Sequence, residues 1–210
     1  MRSLHICGLG PGWSLCPPMK PGRMIWGINA ILLRRDVNYV FEIHDLYEKL
    51  SRVDADGHIR AIRRAEYKGI PYIVQREWDF LPGLKQVVYP LEAVCQRFQT
   101  DNIGCSLDAA IALGIYCGWK DIQVYGSGAN LASLYDYQVP SNNYWVGVCH
   151  GANINIHFHS IGGLRHSDVM RTHDGLVYGF NVPQKKWPTI DTTLPACNCT
   201  RRNNYGCTDY

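Results

Sequence analysis

The sequence predicts an α/β fold, a three-layer sandwich with helices on both faces of a mostly parallel sheet. Short apolar runs of strand length recur between residues 3 and 159. Amphipathic or wholly apolar stretches of helical length separate several of them, and strands alternating with helices imply parallel pairing. The apolar runs also stop at Gly, Asn or His-Asp, residue types suited to turning the chain out of a buried strand.

Taken in order, Ser3-Leu-His-Ile-Cys7 reads as a buried strand leading into the turn Gly8-Leu-Gly10-Pro11-Gly12-Trp13. Met24–Ile28 is a second strand, ending at Asn29 and followed by a short helical stretch over Ala30–Arg35. Tyr39–Ile43 is a third, ending at His44-Asp45. Gly57–Gly69 is amphipathic, with Ile59 and Ile62 inward, Arg60, Arg63 and Arg64 outward, and Gly69 as its C-terminal cap. Pro71–Val74 and Gln86–Tyr89 are short strands, and Leu91–Phe98 is a helix. Ser106–Cys117 is apolar nearly all round, as a helix buried between layers should be. Asp121–Tyr125 is a strand closed by Gly126-Ser127-Gly128. The polar, aromatic stretch from Tyr135 to Trp145 reads as the wall or lid of a pocket, or as core rim. Ile154–His159 and Leu176–Phe180 are the last strands. The chain divides into a domain over 1–182 and an extended tail over 183–210, where Pro183, Pro188 and Pro195 break regular structure.

Composition narrows the function classes. The chain has 210 residues, Lys+Arg 21 against Asp+Glu 18, and a net charge of +3, too balanced to predict nucleic-acid binding. Only 19% of residues are charged, against roughly 25% in an ordinary soluble domain, which favours an extensive interior or a lined pocket. No apolar run approaches the ~18 residues of a membrane span. Gly8, Gly10, Pro11 and Gly12 interrupt any signal-peptide core, so a cytoplasmic location and reduced thiols are expected for the nine cysteines. Cys7, Cys105 and Cys117 lie in apolar stretches and read as small core residues. Cys197, Cys199 and Cys207 offer three thiols in the tail, short of a four-ligand zinc set, and free thiols are the alternative.

Ligands in open parallel sheets bind beyond the carboxyl ends of the strands. Four features of this chain fall there: the Gly8, Gly10, Pro11, Gly12 loop, Asn29, His44-Asp45, and Gly126-Ser127-Gly128. Glycines let backbone N–H groups approach a phosphate, although the same loop serves equally as a structural turn and Pro11 lacks a donor. Asn29 offers a donor and an acceptor to a base or ribose; Asp45 offers an acceptor to hydroxyls or a metal-bound water. Ser106, at the head of the buried helix, reads either as an anion contact at the positive end of the helix dipole or as an ordinary N-cap. Five of the eight histidines fall between His150 and His173. His157 and His159 share one strand face, where they are open to a metal with Asp168 or Asp174, to a general-base role, or to structural packing.

These segments carry a resemblance. Gly8-Leu-Gly10-Pro11-Gly-Trp-Ser-Leu resembles the G-x-G-P-S-L opening of two related groups: the MptE-like 6-hydroxymethylpterin diphosphokinases and the bacterial sialyltransferases that use CMP-sialic acid. Asn29 is similar to their strand-end asparagine, Asp45 to their strand-end aspartate. Cys105-Ser106 with its Ala-rich helix and Gly118-Trp-Lys-Asp-Ile-Gln-Val-Tyr-Gly126 resembles their T-S-G…A-x-x-x-G-x-K-x-I-x-L-x-G segment. The likeness covers residues 3–45 and 100–160. It departs at Gly12 (serine in the families), at Asn102-Ile-Gly-Cys105 (no counterpart of an arginine) and at Ser127-Gly128 (in place of an aspartate). Tyr144-Trp-Val-Gly147-Val-Cys-His150 approximates the sialyltransferases' Tyr-x-Gly with its following histidine, at shifted spacing.

The resemblance implies a Rossmann-like fold and a transferase acting on a nucleotide-activated donor. Glycosyl transfer from a sugar nucleotide to a hydroxyl would use His150 as base and no obligatory metal. The alternatives are a Mg²⁺-dependent diphosphokinase and a non-catalytic protein that sequesters a nucleotide or sugar nucleotide. The partner expected is the small-molecule nucleotide, with no nucleic acid; a homo-oligomer is compatible with all three readings.

Overall fold

A computed structural model of the chain describes residues 2–53, 55–127 and 138–159, all but the side chain of Val139. These residues build a seven-stranded sheet in the order β5-β4-β3-β2-β1-β6-β7. The strands are β1 (Leu4–Cys7), β2 (Met24–Ile28), β3 (Tyr39–Glu42), β4 (Tyr72–Val74), β5 (Gln86–Val88), β6 (Asp121–Tyr125) and β7 (Asn155–His159), and every pairing is parallel. The helices are α1 (Leu46–Leu50), α2 (Asp56–Lys68), α3 (Leu91–Phe98), α4 (Ser106–Tyr116) and α5 (Gln138–Gly151). Short 3-10 segments follow β1 and β2 at Trp13–Leu15 and Asn29–Leu33.

Alternation along the strands sorts the core into two halves, as the period of two requires. Leu4, Ile6, Trp26, Ile28, Phe41 and Ile73 pack against Val94 of α3, the apolar body of α4, and Trp145 and Cys149 of α5. On the opposite face Cys7, Ile25, Val40, Tyr72 and Val74 pack against Ile31 and Leu32 of the 3-10 segment, Leu46 of α1, and Ala61, Ile62 and Ala65 of α2. The α/β Rossmann-like sandwich expected from the sequence is the fold observed. Gly69 caps α2 at φ 64°, in the left-handed region a glycine enters without strain.

The chain crosses from one face to the other after β5, so the strand order reverses between β1 and β6. At that reversal the two strand ends close on each other. The Gly8 amide donates to the Tyr125 carbonyl (2.8 Å) and the Gly10 amide to the Gly126 carbonyl (2.8 Å). A Cβ on Gly8 would lie 2.6 Å from the Gly126 carbonyl oxygen, and one on Gly126, at φ 59°, would lie 2.6 Å from that of Gly8. These glycines permit backbone-to-backbone contact between β1 and β6.

Two elements depart from the sequence reading. Asp45 ends no strand but opens α1. Residues 138–145 of the stretch read as a pocket wall or lid, or as core rim, belong to a helix, α5, which runs on to Gly151. Pro140 lies in the first turn, where its missing donor has no intrahelical partner to lose. The fully buried Trp145 anchors the helix, donating its ring N–H to the Asn102 carbonyl at 2.7 Å and meeting Phe98 edge-on at 5.2 Å between centroids. Cys117 is exposed just past α4 rather than in the core. The strand expected at Leu176–Phe180, the tail over 183–210 with Cys197, Cys199 and Cys207, and His166, Asp168, His173 and Asp174 lie outside the described residues.

Candidate functional site

A cleft of about 530 Å³ opens at the carboxyl edge of the sheet, above β2, β3 and β4. One helical layer supplies Asp45, Glu48, Lys49 and Arg52 around α1; the other supplies Ile103, Gly104, Cys105 and Ser106 at the start of α4, and Gln138 at the start of α5. Asn29, Ile43, His44 and Gln75 come from the strand ends between them. Three residues marked in the sequence from separate segments, Asn29, Asp45 and Ser106, therefore meet in one place.

Each holds a specific conformation. Asn29 sits at φ 54°, a left-handed geometry that asparagine tolerates better than most residues with a Cβ. Its Oδ1 accepts from the Ser106 hydroxyl at 3.4 Å, joining the end of β2 to the head of α4. Ser106 is the first residue inside the helix; Cys105 is the N-cap and makes no side-chain capping bond. Of the two readings left open for Ser106, the ordinary N-cap is corrected: that position belongs to Cys105, and the Ser106 hydroxyl bonds Asn29 instead. Asp45 is itself an N-cap: its Oδ1 accepts from the Tyr47 and Glu48 amides at 2.9 and 3.2 Å, and Arg76 reaches its Oδ2 at 3.4 Å. That employment leaves Asp45 poorly placed to hold a metal-bound water.

The start of α4 already contains a carboxyl group. Asp108 is fully buried, and its Oδ2 accepts from the Gly104 amide at 3.1 Å while its Oδ1 has no hydrogen-bond partner. Burial pushes its pKa up to about 6, against the opposing effect of the neighbouring Ser141 hydroxyl and the Gly104–Cys105 segment. Above that pH a negative charge occupies the helix's positive end, so an incoming anion finds its cations instead in Lys49 and in Arg52, which pairs with Glu48. Ser141 ties α5 to this point by accepting from the Gly104 amide at 3.0 Å and donating to the Asn102 carbonyl at 3.1 Å.

Behind the cleft wall lies a cluster that sequence reasoning missed. Glu42, the last residue of β3, is 1% exposed. Its Oε1 meets Nδ1 of His44, and its Oε2 meets Nδ1 of His58, on α2, at 2.8 Å. Burial alone would raise the Glu42 pKa; the two imidazole hydrogen bonds outweigh it and hold the carboxyl below the ordinary glutamate value. His44 and His58 stand edge to face, 6.5 Å apart at 85°. The His44 side chain is 46% exposed and forms part of the cleft wall, whereas His58 is 14% exposed. The available signal was the spacing Glu42-x-His44: leaving a strand, residues two apart share a face.

The remaining sequence-predicted residues lie elsewhere. Gly8, Gly10, Pro11, Gly12, Gly126 and Ser127 do not line this cleft, and the Gly8 and Gly10 amides proposed for phosphate are engaged by the carbonyls of Tyr125, at the end of β6, and Gly126 just after it. The physical reason is the close β1–β6 backbone approach, which uses the donors a phosphate would need. Gly12, at φ 94°, turns the chain into the 3-10 segment. His150 occupies the last turn of α5, about twelve residues from Gln138 at the cleft and so ~18 Å along the helix axis. The geometry does not bring His150 to this cleft. On β7, His159 stacks on Tyr125 at 4.4 Å and bonds the Gln123 side chain at 2.7 Å. Among the described residues no group of three His, Cys, Asp or Glu side chains is arranged to hold a metal, and no helix is long and apolar enough to cross a membrane.

Compared with family models and with curated proteins, the chain matches none. Among solved structures it is similar to the sialyltransferase CstII from Campylobacter jejuni in complex with cytidine-5'-monophosphate, with 12% identity and a TM-score of 0.49. It is similar also to the same enzyme in complex with CMP-3FNeuAc, with 13% identity and a TM-score of 0.49. Each alignment covers 78% of this chain and 82% of that chain.

Proposed function

We propose that the cleft above β2, β3 and β4 binds a nucleotide-activated donor and that the protein transfers the donor's glycosyl group to a hydroxyl acceptor. The observation that carries this reading is the convergence of Asn29, Asp45 and Ser106 on one polar cleft. Its volume of about 530 Å³ lies within the range that takes a ligand of nucleotide-sugar size. Lys49 and Arg52 are the cations for the phosphate, which becomes the leaving group and gathers charge as the sugar departs. Asn29 and Ser106 present hydrogen-bonding groups to ribose or sugar hydroxyls, and their mutual bond orients both side chains before ligand arrives.

The test is a thermal-shift panel of the purified chain against CMP, UDP, GDP, ATP, a CMP-sugar and a UDP-sugar, each with and without Mg²⁺. A selective rise in Tm with one sugar nucleotide in metal-free buffer, reduced in Lys49→Ala and Ser106→Ala, is the expected result. A response confined to ATP with Mg²⁺ would move the reading to the diphosphokinase type. Sugar-nucleotide binding without turnover on any hydroxyl acceptor would make the protein a sequestering one. No response at millimolar ligand would overturn the nucleotide site.

A further inference from the structure

We infer that His44 is the general base of this cleft, with Glu42 and His58 as its positioning residues. The inference rests on the transfer reading for its substrate, though its geometry stands independently. A carboxylate as buried as Glu42 is tolerated only when paired and hydrogen-bonded. Here each oxygen has one imidazole partner, and both imidazoles approach through Nδ1. A neutral His44 that donates from Nδ1 to Glu42 keeps its lone pair on Nε2. With Nδ1 held on the buried side and the ring forming part of the cleft wall, Nε2 is the nitrogen left to a ligand. A base within reach of substrate, itself oriented by a third group, is the arrangement that proton abstraction from a hydroxyl requires.

The step balances without a co-reactant. His44 Nε2 takes the proton of the acceptor hydroxyl as that oxygen bonds to the anomeric carbon of the donor. The bond from that carbon to the phosphate oxygen breaks, and its electron pair leaves with the nucleotide. Glu42 stabilises the resulting imidazolium, whose proton then passes to solvent. His58 holds the second Glu42 oxygen, so the carboxylate cannot turn from His44 without abandoning a bond 2.8 Å long. The other charged groups lining the cleft with His44 are Asp45, Glu48, Lys49 and Arg52, all on the α1 side, and Arg76, following β4, pairs with Asp45.

Imidazole ¹⁵N correlation spectra of the full chain at pH 8 test the arrangement without any substrate. The expected result is a protonated Nδ1 and a lone-pair-bearing Nε2 at His44; an Nε2–H tautomer would overturn the inference. Diethyl pyrocarbonate supplies a second readout, since it acylates the unprotonated nitrogen. Carbethoxylation of His44, followed by mass spectrometry, is expected to fall severalfold in Glu42→Leu, which leaves Nδ1 without its acceptor and frees the proton to move to Nε2. An unchanged His44 rate in a folded Glu42→Leu protein would sink the positioning role. If that variant fails to fold, the wild-type tautomer still decides the matter. With a donor found by the thermal-shift panel, His44→Ala should lose ~10²–10⁴-fold in kcat while retaining the ligand-induced Tm rise. Undiminished turnover in His44→Ala would refute the base. Failure of every nucleotide to bind would refute the donor reading and leave the tautomer and acylation results standing on their own.

Discussion

Asn29, in the cleft wall, and Asp108, buried in the first turn of α4, each hold an unfavourable state, and the two make opposite predictions. Asn29 adopts φ 54°. Glycine enters that region freely, whereas alanine pays roughly 1–2 kcal/mol there. Asn29→Gly should therefore keep near-native stability in urea unfolding while losing the link to Ser106 and weakening ligand. Asn29→Ala should lose both, and equal stability of the two variants would show that the backbone strain is immaterial. For Asp108, folding raises the carboxyl pKa to about 6, above its unfolded value near 3.9, so the native state favours the neutral acid. The unfavourable contribution is absent below about pH 4, grows between the two pKa values, and levels off above pH 6 at about 3 kcal/mol. Asp108→Asn removes the charge and keeps an acceptor for the Gly104 amide. It should stabilise the protein by about 1–3 kcal/mol at pH 8, with the gain fading toward pH 4. A gain independent of pH would assign it to packing instead.

At the scale of elements, α5 shows how packing overrides local preference. Its sequence, Gln138-Val-Pro-Ser-Asn-Asn-Tyr-Trp-Val-Gly-Val-Cys-His-Gly151, is poor in strong helix formers and offers only a faint apolar stripe. Trp145 and Cys149, both fully buried, hold it to the core, and Ser141 fastens its start to the loop before α4. Trp145→Ala should cost about 3–5 kcal/mol by cavity formation and the loss of the bond to Asn102. Amide exchange should accelerate most in α5 and in residues 102–104. Uniform loss of protection across the sheet would mean that α5 does not unfold separately. The helices α2, α3 and α4 were legible because each repeats apolar residues at helical spacing or is apolar throughout. The five-residue α1 carries too few turns for periodicity to register, and Asp45 showed its role only once the Tyr47 and Glu48 amides stood against it.

Across the whole molecule, stability and binding are linked. A ligand held only by the native state contributes RT ln(1 + [L]/Kd), about 2.7 kcal/mol at one hundred times Kd. For a domain of this size that corresponds to a Tm rise of roughly 5–10 °C, large enough to make the nucleotide panel decisive. His44→Ala should preserve this rise and Lys49→Ala should diminish it, because one residue acts on a proton and the other on the phosphate.

The sequence by itself determined the parallel α/β architecture, the bounds of most strands, the helices of clear periodicity, and the places of Asn29 at the end of β2 and Ser106 at the head of α4. All of these are local properties, written in spacings of two to four residues and in the turn chemistry beside them. Only the tertiary structure decided what those residues face. Gly8 and Gly126 are far apart in sequence, and their backbone contact turned an apparent phosphate loop into a β1–β6 junction. Glu42 stands in its strand as one acidic residue after three apolar or aromatic ones. Its meaning came from His58, brought across by α2, and from the burial that makes a carboxylate seek two imidazoles. The partner of a buried charge is chosen by packing over long separations, and no local pattern in the chain encodes it.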